Sequence, residues 1–387
     1  MRKLNFIPGN DIALLHCGAD FFSKMLSEID QATQEIYLET YIFADDATSS
    51  KVQVALCRAA ARGVQVRVIV DWIGCGDGRS DLLVKDFANA GVACRRFNPW
   101  FKRGLARTHR KICVIDRRAA LVGGLNIIDD FISDDGSGQV LDFPRWDFAV
   151  HVTGDLVAQI HFEVKAQWLK MGKMGLISRL KLIRNLRSQV RSSSHQPMMA
   201  ALVVRDNLRN RTTIQKAYLQ ALGLARKRAI LANPYFAPGG KLRRALISAA
   251  SRGVDVTLLI GVGQFHLQDA VANSFYPKLL LHGVKIVEYG KTQLHAKVAV
   301  IDHDWATVGS SNFDGLSLFV NQEANIVIRN QVFADSLTTY LEQGISDGVP
   351  VDAKEYANKA WYKRAWYGIV YFLYRGLMRI ATLGNYT

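Results

Sequence analysis

One pattern of five residues occurs twice in this chain, and any fold must accommodate both copies. His109, Lys111, Asp116, Gly123 and Asn126 lie in THRKICVIDRRAALVGGLN, and His295, Lys297, Asp302, Gly309 and Asn312 lie in LHAKVAVIDHDWATVGSSN. Measured from each His, the other four fall at identical offsets, which a single accidental match cannot produce. The likeness extends outward from the motifs. EIYLETYIF (35–43) matches AILANPYFA (229–237), VALCRAAARGVQVRVIVDW (54–72) matches RALISAASRGVDVTLLIGV (244–262), and FANAGVACRRF (87–97) matches LLLHGVKIVEY (279–289). A repeat of this length marks a duplicated structural unit.

Each copy reads as strand, helix, strand, helix, strand and hairpin. Ala-rich segments with apolar residues three and four apart predict helices that stop at Gly63 and Gly253. VRVIV and VTLLI predict buried strands flanked by helices, so the class is α/β, twice over. A chain of 387 residues is long enough for two domains with cores of their own. The expected divisions are a first domain over 1–163, a basic linker over 164–200, a second domain over 201–350 and an aromatic, basic tail over 351–387.

Forty-nine basic against 34 acidic residues leave a formal charge of +15, which calls for an anionic partner: nucleic acid, a phospholipid surface or a phosphorylated substrate. Two segments narrow the choice. Residues 164–205 contain no acid, and Leu169, Leu176, Leu180, Ile183 and Val190 recur there at helical spacing. They read as a basic amphipathic helix at a membrane surface or as an ordinary linker helix packed on a domain. After Glu355 the chain again lacks acids, and Trp361, Tyr362, Trp366, Tyr367, Tyr371, Phe372 and Tyr374 alternate with Lys359, Lys363, Arg364, Arg375 and Arg379. Trp, Tyr and basic residues together favour a headgroup interface over a core helix.

The start, MRKLNFIPGNDIALL, lacks the apolar run of a signal peptide, and no uninterrupted apolar stretch approaches the roughly 18 residues of a spanning helix. Membrane contact is therefore expected to be peripheral. Five cysteines, odd in number, confined to the first third and without a C-x-x-C pair, read as reduced buried thiols in a cytosol-facing protein.

In an extended strand, residues two apart share a face, so His109 projects with Lys111 and His295 with Lys297. A neutral imidazole beside an ammonium suits a phosphate. The Lys offers charge to the nonbridging oxygens, and the His attacks phosphorus or delivers a proton to a leaving oxygen. The same pairing is poor for a metal, and no cofactor is expected. Asn126 and Asn312 follow a Gly turn and either donate N–H groups to the phosphate or cap a helix. Asp116 and Asp302 complete the catalytic candidates of the motif. Their odd separation from the His puts them on the opposite face, where stabilising the turn or pairing with a lysine is expected rather than direct chemistry. Asp147 and Glu323 each precede an apolar strand downstream of a motif. Either carboxylate could hold an imidazole tautomer, or each could be a solvated strand-edge charge. Glu39, Tyr41, Asn233 and Tyr235, in matching first-strand segments, are expected to line the cleft, with buried packing the alternative for the tyrosines.

H-x-K-x-x-x-x-D followed by G-G-x-N or G-S-x-N, present twice, resembles the signature of the phospholipase D superfamily. Within it, LETYIFADD, ANPYFAPG and the two motif segments are similar to the bacterial cardiolipin synthases of the short type over roughly residues 8–345. The resemblance implies two tandem phospholipase D-like domains, each a mixed β-sheet flanked by helices, packed as a pseudo-two-fold pair. It implies transfer of a phosphatidyl group between two phosphatidylglycerol molecules, releasing glycerol, through a phosphohistidine and without metal. Carried onto this sequence, His109 would be the nucleophile and His295 the general acid and base, or the reverse. Lys111, Lys297, Asn126 and Asn312 would bind the phosphate, and Asp147 and Glu323 would orient the imidazoles. The implied partners are the phospholipid substrate and an anionic membrane surface at the cytoplasmic face of a bacterial cell membrane, with no nucleic acid. The competing readings are a phosphodiesterase that hydrolyses phospholipid or nucleic acid, and a membrane-binding protein with a vestigial site. Oligomeric state leaves no trace in the sequence.

Overall fold

The computed structural model describes residues 4–101, 106–172, 198–206, 210–358 and 361–381. The first half runs β1 (Ile7–His16), α1 (Cys17–Asp30), β2 (Glu35–Thr40), α2 (Ala47–Ala61), β3 (Gln65–Asp71), α3 (Trp72–Cys75), α4 (Asp77–Asn89), β4 (Ala93–Phe97), β5 (Ile112–Ile115), β6 (Ala119–Gly123), β7 (Phe148–Gly154) and α5 (Leu156–Met171). The second runs β8 (Met198–Arg205), α6 (Thr213–Leu224), β9 (Arg228–Asn233), α7 (Gly240–Ser251), β10 (Asp255–Gly261), α8 (His266–Asn273), α9 (Tyr276–Leu281), β11 (Lys285–Tyr289), β12 (Val298–Ile301), β13 (Trp305–Gly309), α10 (Gly315–Phe319), β14 (Glu323–Arg329) and α11 (Gln331–Asp347). Then follow β15 (Val349–Pro350), α12 (Ala353–Ala357) and α13 (Trp361–Ala381).

Among the described residues, the strands form one sheet in the order β15-β11-β10-β9-β12-β13-β14-β8-β1-β7-β6-β5-β2-β3-β4. Read outward from the contact between β8 and β1, each strand except the terminal β15 meets its counterpart in the other half, as a pseudo-two-fold relation requires. Strands β2, β3 and β4 run parallel, as do β9, β10 and β11, and the remaining neighbours are antiparallel. The mixed α/β class expected from the sequence is what forms, and α2 and α7 end just before Gly63 (φ 89°) and Gly253 (φ 88°). The sequence reading lacked the opening strand of each half. In β1 the reason is visible: Pro8, Gly9 and Asn10 look like a turn, but Gly9 (φ 82°) sits where the register with β8 shifts between Ile7 and Asn10.

Burial explains why the halves do not separate. Helices α5 and α11 lie over one face of the sheet, where Ile160, Phe148 and Val150 from the first half join Ile326, Leu337 and Leu341 from the second in one apolar cluster. Two further clusters, one per half, fill the space beneath the remaining helices. Each Leu, Ile or Phe buried in the shared cluster contributes roughly 1.5–3 kcal/mol, so pulling the halves apart forfeits many such terms.

The expected basic linker is corrected in part. Helix α5 runs straight through position 163, and Val164, Ala166 and Trp168 are buried, with the Arg95 guanidinium 3.8 Å above the Trp168 ring. That stretch is core helix; the remainder of the linker, 173–197, lies outside the described residues. Among the described residues no helix is long and apolar enough to cross a membrane.

Candidate active site

Each His-Lys segment is held by the other half. The His109 N–H donates to the Gln322 carbonyl and the His295 N–H to the Trp146 carbonyl, both at 2.9 Å, and isolated bridges pair Thr108 with Gln322 and Leu294 with Trp146. The side chains repeat the crossing. His295 Nδ1 lies 2.6 Å from Asp147 Oδ2, and His109 Nδ1 lies 3.1 Å from Glu323 Oε2. All four side chains are buried. A carboxylate on Nδ1 fixes the tautomer and leaves Nε2 bare for chemistry. The two imidazoles line one cavity of about 760 Å³.

The supports differ in detail. A Cβ at Gly124 would come within 2.2 Å of Asp147 Oδ1, so glycine there lets a short carboxylate reach its His. In the second half Ser310 occupies the matching place, and its hydroxyl donates to Glu323 Oε2 at 2.5 Å. The Ser310 carbonyl also stands 3.1 Å from His109 Nδ1, so that ring has two acceptors where His295 has one.

Lys111 Nζ donates to the His109 carbonyl at 2.8 Å, and Lys297 Nζ donates likewise to the His295 carbonyl. Each spends one of three N–H groups and keeps two. Burial, reinforced by the other ammonium, brings Lys111 down to about 7, and burial brings Lys297 to about 8 against the pull of Asp147 and Asp134. Burial also lowers His109, with Lys111 adding and Glu323 opposing, and holds His295 well below the ordinary imidazole value with Lys297 beside it. Burial raises Asp147 to about 6 while Lys297 opposes, so it remains a carboxylate at neutral pH. The apo site thus holds two neutral imidazoles and two weakened ammoniums, and an entering anion restores the charge that burial suppresses.

The remaining candidates fall into three groups. Asn126 and Asn312 both line the cavity. Asn126 Oδ1 accepts from the Ile42 N–H at 3.2 Å, which leaves its N–H₂ end for a ligand, and Asn312 Oδ1 is buried without a partner. Neither caps a helix; Asp314 accepts from the Ser317 N–H instead. Tyr41 and Tyr235 line the cavity, with Tyr41 edge-on to His109 at 5.0 Å, whereas Glu39 and Asn233 do not. Glu39 binds Arg110 at 2.7 Å, and Asn233 accepts from the Phe313 N–H at 3.0 Å, so both hold the scaffold.

Asp116 and Asp302 lie outside the cavity lining and follow the turn-stabilising expectation. Both sit in left-handed backbone (φ 51° and 53°) at the β5–β6 and β12–β13 turns, a conformation that a short polar side chain tolerates. Asp116 accepts from the N–H groups of Thr33, Gln34 and Glu35, and Asp302 from those of Arg226, Lys227 and Arg228. They tie the turn to the start of β2 or β9 and pair with neither motif lysine. The turn-stabilising alternative describes them; a catalytic one does not.

Sequence reasoning passed over Asp134, Arg107 and Gln264, and the apolar wall of the cavity. That wall comes from α8 and α13, including Leu267, Val271, Trp366, Val370 and Leu373. Arg107 was open to discovery, since it stands two residues before His109 where Gln293 precedes His295. Asp134 lies in a loop ten residues longer than its counterpart, and Gln264 lies just past the matched segment 244–262.

A family described as cardiolipin synthase, phospholipase D-like domain, matches residues 25–133 and again 218–345. The chain is 37% identical to cardiolipin synthase B of Salmonella typhi, covering 95% of this chain and 87% of that protein, and 34% identical to cardiolipin synthase B of Escherichia coli K12 with the same coverage. Among solved structures, phosphatidylserine synthase from Haemophilus influenzae superposes with a TM-score of 0.73 at 13% identity, covering 98% of this chain and 97% of that one, a likeness of fold.

Proposed function

The chain belongs to the phospholipase D-like cardiolipin synthase family, and from that membership we infer that it moves a phosphatidyl group from one phosphatidylglycerol to the primary hydroxyl of another. The observation that carries the reading is the crossed pair: two imidazoles on one cavity, each aligned by a carboxylate from the opposite half. In the first step His109 Nε2 bonds to phosphorus as the bond from phosphorus to the glycerol oxygen breaks, and His295 Nε2 gives that oxygen its proton. In the second, the acceptor hydroxyl returns a proton to His295 as its oxygen bonds to phosphorus and the bond to His109 breaks. Lys111, Lys297, Asn126 and Asn312 bind the nonbridging oxygens, and the phosphate anion favours the protonated lysines and His295.

The shape of the cavity supports a lipid over a nucleic acid. Its floor is polar and its wall apolar, and Trp366, Leu373 and Leu377 on α13 and Leu267 on α8 line it while staying exposed; Tyr362, Ile369 and Phe372 are further exposed hydrophobic side chains of α13. A nuclease cleft would offer a basic groove instead. We place these residues against a phospholipid surface, with Arg375 and Arg379 beside them on α13, so that the protein binds peripherally at the cytoplasmic face of a bacterial membrane. The free, unpaired state of all five cysteines accords with that face.

The test is purified protein offered phosphatidylglycerol vesicles without added metal. Glycerol and diphosphatidylglycerol should appear in equal amounts; glycerol with phosphatidate in place of diphosphatidylglycerol would make the enzyme a hydrolase.

A further inference from the structure

One break in the repeat near the chemistry is a difference in loop length. From Asn126 to Asp147 the chain takes 21 residues, whereas from Asn312 to Glu323 it takes 11. The longer first-half loop carries Asp134 into the cavity, where Asp134 Oδ2 stands 3.5 Å from His295 Nε2. That is the nitrogen left bare by Asp147, and among the described residues no carboxylate other than Glu323 is bonded to His109.

The loop is built to hold this carboxylate. Gln264 Nε2 and Gln293 Nε2 each donate to Asp134 Oδ1 at 2.7 Å, and Gln293 Oε1 is itself held by Arg145 Nε at 2.7 Å. Arg145 also stands 3.9 Å from Asp134 Oδ2 and 3.6 Å from Asp130. One oxygen is thereby saturated, while the other faces the reactive ring at a distance too long for a good hydrogen bond. An oxygen entering between them can reach both.

The cavity is therefore polarised. Arg107 lies on the His109 side, where its guanidinium meets the Tyr41 hydroxyl at 3.2 Å, and a carboxylate lies on the His295 side. A phosphate is drawn toward the first and repelled by the second. What fits beside Asp134 is a neutral donor. An ammonium would match the carboxylate alone, but it would also enter a site already holding Lys111, Lys297 and Arg145.

We propose that Asp134 is a specificity-determining residue that accepts a hydrogen bond from the vicinal hydroxyl of a glycerol headgroup while the neighbouring hydroxyl oxygen exchanges its proton with His295. The carboxylate neither gains nor loses a proton in the cycle. It selects polyol headgroups over simple alcohols because a buried, charged acceptor left unfilled is costly. This rests on the transferase reading above.

The test partitions one phosphatidyl-enzyme between two acceptors, so the ratio does not depend on how fast the intermediate forms. Phosphatidylglycerol vesicles are incubated with equal concentrations of isotope-labelled glycerol and ethanol, and the labelled phosphatidylglycerol and phosphatidylethanol are weighed by mass spectrometry. The wild type should prefer glycerol, and Asp134→Asn should cut that preference by about 10- to 100-fold. Gln264→Leu, which frees one side of the carboxylate but keeps its charge, should cut it less, and gives the answer if Asp134→Asn folds poorly. A residue that merely supports His295 would slow both products together. An unchanged ratio in both variants, or a wild-type preference for ethanolamine over glycerol, would overturn the role of Asp134. Wild-type protein that transfers to no alcohol at all would instead overturn the transferase reading.

Discussion

The two halves present the same strand, the same His-Lys pair and the same turn, yet the rings stand in unlike surroundings. His295 has a single short contact to Asp147, a second carboxylate at its reactive nitrogen, and a neutral Gln293 two residues before it. His109 has two acceptors at 3.1 Å, Glu323 and the Ser310 carbonyl, with Arg107 on its flank. Duplication supplied the frame, and divergence of the loops between the Asn and the carboxylate gave the rings unlike neighbours, as the proposed division of labour requires. An acid and a nucleophile cannot be served by the same neighbours, because one needs its proton held ready and the other needs its lone pair free.

Removing either ring should break the comparison outright. His109→Ala and His295→Ala should each lower transfer by at least about 10³-fold. The phosphorylated ring should distinguish them: with His295→Asn, protein quenched in a neutral to mildly alkaline denaturant, where the P–N bond survives, should carry phosphatidyl label on His109, and with His109→Asn it should carry none. Label on His295 would exchange the two roles.

The carboxylates sharpen the contrast. Asp147→Asn should lower turnover by roughly 10²- to 10⁴-fold, because an amide presents its N–H₂ and favours the wrong tautomer. Glu323→Gln should cost about tenfold less, since the Ser310 carbonyl still accepts the His109 Nδ1 proton. Equal losses would show that Ser310 contributes nothing.

A third prediction concerns pH. With the folded values of Lys111 at about 7 and Lys297 at about 8, raising the pH strips protons from the free enzyme that the bound phosphate needs. KM for phosphatidylglycerol should therefore rise, by about tenfold per unit between the two values and by about 100-fold per unit above the higher one, while kcat changes less. Lys111→Arg, whose charge persists, should flatten the lower part of that rise.

The smallest effects belong to the turns. Asp116→Ala and Asp302→Ala should each lower stability by about 1 kcal/mol, read as a drop in thermal midpoint, and leave kcat within about twofold. A large loss of kcat in either would return that residue to the chemistry.

Much of this was legible before any coordinates. The spacing of His, Lys, Gly and Asn, repeated at fixed offsets, drew the eye to both rings, and the acid just ahead of β7 and the acid that opens β14 stand within hydrogen-bond distance of them. The crossing of those partners was not legible, because nothing local says that Asp147 answers a ring 148 residues away. Asp134 was hidden for a related reason: it lies in the stretch where the halves cease to match, and repetition cannot flag what occurs once. Residues 164–171 misled because a basic helix with its apolar side on the core shows the same periodicity as one lying on a membrane.

The exchange of supports between halves also bears on how the protein is made. A ribosome that has released the first 300 residues has produced both imidazoles, but Glu323 is still to come, and the cleft has no second wall. The site is complete only once β14 has docked and Glu323 has reached His109, so neither half holds a finished ring pair without the other.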